Sequence, residues 1–78
     1  MKTIKILGSG CAKCNKLYEM ADKAAGELSI EYQMEKVTDM AKFVEFGVMI
    51  TPAMVVDGKV KVSGSVPPLD KLKQLIQE

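Results

Sequence analysis

The sequence predicts an α/β fold, a mixed four-stranded sheet with helices on both faces and elements in the order β-α-β-α-β-β-α. Three observations predict it. Lys2 to Leu7 and Ile30 to Glu35 alternate with the two-residue period of strands. Between them, apolar residues recur at the three- and four-residue spacing of a helix. Later in the chain, Asp57-Gly58 separates two β-branched runs, the signal of a type I′ hairpin.

Each element follows from local chemistry. Ile4 and Ile6 alternate with Lys5 and Leu7 in the first strand, and Gly8-Ser9-Gly10 breaks it. From about Cys11 to Leu28, the positions Cys14, Leu17, Tyr18, Ala21, Ala24, Ala25 and Leu28 form one apolar stripe. Gly26 marks the fraying end of that helix. Ile30, Tyr32 and Met34 alternate with acidic and amide residues in a half-buried second strand. Thr38-Asp39 caps a second helix, in which Met40, Phe43 and Val44 share a face and Gly47 closes the last turn. Met54 to Val56 and Val60 to Val62 are the hairpin strands. After Gly64, Pro67-Pro68 opens a last helix with Leu69, Leu72, Leu75 and Ile76 inward. The first two strands, joined through a helix, should run parallel, and the hairpin strands antiparallel.

Residues 1–78 make a single domain with room for one small core. The apolar fraction of 47% and charged fraction of 27% fit an ordered globular chain. A net charge of +1 argues against bulk electrostatic binding to nucleic acid or to a membrane surface. No apolar run approaches the ~18 residues of a membrane span. Met1-Lys2-Thr3 leads directly into a strand, so no signal peptide is expected and the cytoplasm is the expected location. Histidine is absent, which excludes His-based general bases, His–metal sites and Ser-His-Asp triads.

Chemistry therefore concentrates on two cysteines, Cys11 and Cys14, spaced C-x-x-C. As a structural staple the pair would close a four-residue loop worth only about 2 kcal/mol. A structural zinc site needs four ligands, and no second pair exists. A thiol redox pair and a two-coordinate soft-metal site both remain, beside the plain alternative of two inert buried cysteines. Cys11 follows a strand and a glycine-flanked turn at the first turn of a helix. Free amides and the positive end of the helix dipole favour a thiolate there, and Lys13 and Lys16 add weak positive potential. Cys14, one turn deeper on the apolar side, should be less exposed and less ionised. That asymmetry defines Cys11 as nucleophile and Cys14 as resolving thiol. Thr51-Pro52 is the second informative site, a proline tolerated at the first residue of a strand.

Gly10-Cys11-Ala12-Lys13-Cys14 after the first strand, Thr51-Pro52 before the third, the Asp57-Gly58 hairpin and Gly64 before the last helix resemble the thioredoxin/glutaredoxin superfamily. The likeness spans essentially the whole chain. It is nearest to short thioredoxin-like proteins called redox-active disulfide protein 2, which resemble thioredoxin without its N-terminal strand and helix. The resemblance implies a cis Pro52 facing the Cys11–Cys14 pair. It also implies that the Thr51 backbone, with Pro52 and Gly10, docks an extended substrate chain. The implied function is thiol-disulfide oxidoreduction of a protein or small-molecule disulfide. The redox group is the Cys11–Cys14 disulfide, with no bound cofactor, and a reductase or glutathione supplies electrons.

The chain departs from thioredoxins at three places. Gly10 replaces a tryptophan, Ala12-Lys13 replaces Gly-Pro, and Lys5 stands where thioredoxins bury an acid that helps deprotonate the resolving thiol. Lys5 is expected to reach for solvent. Ser63-Gly64-Ser65 matches the glutathione-binding turn of glutaredoxins only partly. The methionines Met20, Met34, Met40 and Met54 are expected to fill the core, with Met49 and Ile50 packed in a loop or forming an apolar rim beside Cys11. Two rival functions share the C-x-x-C: a Cu(I) or other soft-metal carrier, and a low-turnover thioredoxin-like binding module. Metallochaperone domains run β-α-β-β-α-β and end on a strand, whereas this chain ends on a helix.

Overall fold

A computed structural model describes residues 1–78. Its elements are β1 (Lys2–Leu7), α1 (Ala12–Glu27), β2 (Tyr32–Val37), α2 (Met40–Glu45), β3 (Ala53–Val56), β4 (Lys59–Ser63) and α3 (Leu69–Gln77). The four strands form one sheet in the order β2-β1-β3-β4. β1 and β2 are parallel, in register from Lys2 opposite Tyr32 to Leu7 opposite Val37. β3 runs antiparallel to both β1 and β4. The predicted mixed sheet and element order are those observed.

Alternation along β1 and β3 sends side chains to two separate cores. On one face, Ile4, Ile6, Met54 and Val56 pack with Leu17, Ala21, Ala24 and Ala25 of α1 and with Leu72 and Ile76 of α3. The run of alanines on α1 brings that helix close to both the sheet and α3. On the other face, Leu7, Val37, Ala53 and Val55 pack with Phe43 of α2 and with Val48 just beyond it. The folded chain exposes 4606 Å². Size scaling gives roughly 4,700 Å² for this mass, so these cores bury about what a compact chain of this length can.

Three sequence expectations shift. The second strand starts at Tyr32, not Ile30, and extends to Val37, because pairing with Lys2 sets its first residue. Gly26 lies inside α1, and the chain turns only at Leu28 and Ser29, where Ser29 takes a φ of 56°. On α2 only Phe43 is buried, whereas Met40 and Val44 are 73% and 76% exposed. A helix of six residues makes under two turns and meets the sheet along a single line. The inward positions that Met40 and Val44 do not fill are taken by Phe46 and Val48 from the following turn. That turn closes with the Gly47 amide donating to the Val44 carbonyl and the Val48 amide to that of Phe43, both at 2.9 Å, the paired bonds of a Schellman motif.

The hairpin turn is as predicted. Asp57 and Gly58 both have positive φ, 49° and 83°, the pattern a type I′ turn demands. Asp57 also ties the hairpin to β1, since the Thr3 amide donates to its carboxylate at 2.9 Å. Lys2 lies 3.6 Å from the same carboxylate. The Thr3 amide, more than Lys2, holds the Asp57 carboxyl below its usual range.

Candidate active site

The site is built where β1 hands over to α1. The ladder to β2 continues one residue past β1, with the Gly8 amide donating to the Val37 carbonyl at 3.0 Å. Ser9 and Gly10 then turn the chain, Gly10 in the left-handed region at φ 91° and exposed to solvent. Cys11 follows in an extended conformation, φ −70° and ψ 167°. It sits one residue before the helix, as its N-cap, rather than inside the first turn.

This capping position sets the electrostatics. The Cys11 Sγ accepts from the Cys14 amide at 3.3 Å, satisfying a donor that the helix itself leaves free. The Cys11 side chain is exposed, whereas Cys14 retains only 3% of its surface. Hydrogen bonding from the Cys14 thiol, reinforced by the Cys14 amide, holds the Cys11 thiol below its ordinary value. Burial pushes the Cys14 thiol up, and its hydrogen bond to the Cys11 sulfur adds to the rise. Lys13 contributes through its backbone amide. Hydrogen bonds at the helix terminus lead in lowering Cys11, and the side chains of Lys13 and Lys16 are exposed.

The Thr51–Pro52 segment reaches the same end of the sheet. Leu7 pairs with Ala53 in the antiparallel register, which brings Pro52 level with Gly8 and the cysteine turn. The Thr51–Pro52 peptide bond is cis. Pro52 is fully buried and Thr51 half-buried. The end of β4 holds this loop. The Gly64 amide donates to the Pro52 carbonyl at 2.8 Å, and the Ser63 hydroxyl donates to the Ile50 carbonyl at 2.9 Å. Met49 and Ile50 are 96% and 63% exposed, so Met49 does not pack into the loop. The structure thus places Gly10, Cys11, Cys14, Thr51 and Pro52 at one end of the sheet.

Lys5 lies elsewhere. Its ammonium stands over the Phe46 ring, 5.2 Å from the centroid, on the face that α2 covers. There it lines a cleft of about 220 Å³ with Glu35, Val37, Lys42, Glu45 and Phe46. Lys5 is half-buried, and the one partner its ammonium meets is the Phe46 ring. One residue was missed by sequence reasoning. Gly8 reads as a strand breaker in the sequence, but it is buried against Cys14. No group of three or more Cys, Asp or Glu side chains is gathered closely enough to hold a metal ion.

Comparison with known proteins shows the family. The family model described as Thioredoxin domain matches residues 2–77, and the chain belongs to that family. It is 38% identical over 74 residues to a protein named Thioredoxin from Methanocaldococcus jannaschii, covering 95% of this chain and 85% of the relative. It is 36% identical over 76 residues to one named Thioredoxin from Methanothermobacter thermautotrophicus, covering 97% of this chain and 99% of the relative. No helix is long and apolar enough to cross a membrane.

Proposed function

We propose that the protein is a small thiol-disulfide oxidoreductase that works through Cys11 and Cys14. The observation that carries this reading is the opposition of the two thiols. One is exposed with its pKa lowered, and the other, three residues on, is buried with its pKa raised. The two relatives named Thioredoxin support the same class of activity.

In the forward direction, the Cys11 thiolate attacks one sulfur of a substrate disulfide. A Cys11–substrate disulfide forms, and the other substrate sulfur leaves as a thiolate that takes up a proton. Cys14 then gives up its proton and attacks the Cys11 sulfur, releasing the second substrate thiol. The substrate gains two electrons and two protons, and the protein is left with a Cys11–Cys14 disulfide. The exposed Cys11 suits the first step, and Cys14, whose amide already holds the Cys11 sulfur at 3.3 Å, suits the second. Gly10, Thr51 and Pro52 would dock an extended substrate segment beside Cys11 through their backbone. A flavin-dependent reductase or glutathione would return the two electrons, and no bound cofactor is needed. A dithiol cycle of this kind belongs in a reducing compartment, which we take to be the cytoplasm.

The test is turnover of insulin disulfides or a small aromatic disulfide with dithiothreitol as electron donor. Wild-type protein should accelerate reduction, and Cys11→Ser should abolish the acceleration. In parallel, the reduced protein should lose Cu(I) to a dedicated chelator. Retention of Cu(I) without disulfide reduction would replace this reading with that of a metal carrier.

A further inference from the structure

We propose that Gly8 is a positioning residue for the second half of the reaction: its bare backbone is the seat on which the Cys14 sulfur rests. The proposal rests on the dithiol reading above and assigns a role to a residue outside the cysteine motif.

The geometry is specific. A Cβ built at Gly8 would fall 2.8 Å from the Cys14 Cβ and overlap the Cys14 Sγ itself. Gly8 is buried, and its amide is committed to the Val37 carbonyl at 3.0 Å, so the strand end cannot easily swing aside. Its neighbour Leu7 is fully buried and paired with Ala53. Gly10, Gly47, Gly58 and Gly64 all adopt positive φ, but Gly8 does not. Glycine is therefore required at position 8 for space and not for backbone conformation.

The consequence is chemical. Cys11 is positioned from the helix side, by the Cys14 amide. Cys14 is positioned from the sheet side, by the gap at Gly8. A methyl group at position 8 would evict the Cys14 sulfur from its seat and turn it off the line of attack on the Cys11 sulfur. The helix start, opened by the Asn15 amide donating to the Cys11 carbonyl at 3.0 Å, would keep the Cys14 amide on the Cys11 sulfur, so Cys11 would lose the help of the Cys14 thiol but not that of the backbone.

A two-phase thiol assay separates the two roles. Reduced protein is mixed with 5,5′-dithiobis(2-nitrobenzoate). The first nitrothiobenzoate is released by Cys11 attack, and the second by Cys14 resolution. In Gly8→Ala we expect the second phase to slow at least tenfold, and the first, which loses the Cys14 thiol's contribution but keeps that of the amide, to slow severalfold less than the second. A second phase within twofold of wild type in folded Gly8→Ala overturns the proposal, as does an equal slowing of both phases. If Gly8→Ala does not fold, Gly8→Ala combined with Cys14→Gly decides the matter, with Cys14→Gly as reference. Recovery of folding on removal of the Cys14 side chain supports the seat, and continued failure overturns it. Failure of the dithiol reading would be seen separately, as wild-type protein that stops after one equivalent. The Cys14→Gly rescue then still decides the packing claim.

Discussion

The amide of Cys14 donates to the Sγ of Cys11 across 3.3 Å, so the backbone of the buried cysteine holds the sulfur of the exposed one. The C-x-x-C spacing makes this bond available. The N-cap side chain reaches the third residue of the helix, and here both positions are cysteine. One sulfur is therefore solvated and stabilised as an anion, and the other is buried as a thiol.

Limited alkylation should expose this split. Iodoacetamide on reduced protein should label Cys11 well before Cys14 at neutral pH. The rate at Cys11, plotted against pH, should have its midpoint below the ~8.5 of a free cysteine and fall away as pH drops through that midpoint. Cys14 should react only above the ordinary range. Peptide mapping of the labelled protein checks both, and earlier labelling of Cys14 would reverse the roles.

Core and surface positions that look alike in sequence should behave differently. Leu72 of α3 is fully buried in the core shared with α1 and the sheet, and Leu72→Ala should cost roughly 2–5 kcal/mol in urea unfolding. Val44 reads as apolar helix face but is exposed, so Val44→Ala should stay within about 0.5 kcal/mol of wild type.

The order of elements, the sheet, the hairpin and both cysteine environments were legible because each rests on a local rule: strand alternation, helical spacing, an Asp-Gly turn, a cysteine at a helix start. What was not legible depends on distance through space. Nothing in the sequence near Met40 and Val44 says that a six-residue helix meets the sheet along one line, or that Val48 takes the inward place. Gly8 looks like a breaker because its reason for being glycine lies across the turn, at Cys14. The hydrogen bonds that lead in lowering Cys11 come from Cys14, a dependence that composition near Cys11 does not display.

The Lys73–Glu27 pair links α3 to the end of α1. Its hydrogen bond to Lys73 holds the Glu27 carboxyl below its usual range, and the same contact raises Lys73. A lowered carboxyl contributes stability above its unfolded pKa and loses it as pH falls through the folded value. A raised lysine contributes below its unfolded pKa and loses it as pH rises through the folded one. Lys73→Met should therefore lower the urea midpoint slightly at pH 7, the pair being partly solvated. The difference from wild type should vanish on acidification below the usual glutamate range. A difference unchanged by acid would assign the effect to packing of the lysine stem.

The central claim, that Cys11 attacks and Cys14 resolves, is tested most directly by trapping. Reduced Cys14→Ser and Cys11→Ser variants are each mixed with a disulfide-bonded peptide and quenched with acid, and the adducts are mapped by mass spectrometry. The account predicts a stable peptide disulfide on Cys11 in the Cys14→Ser variant and little or no adduct in the Cys11→Ser variant. An adduct that forms readily on Cys14 when Cys11 is replaced, with Cys11 left unmodified in the converse variant, would contradict it.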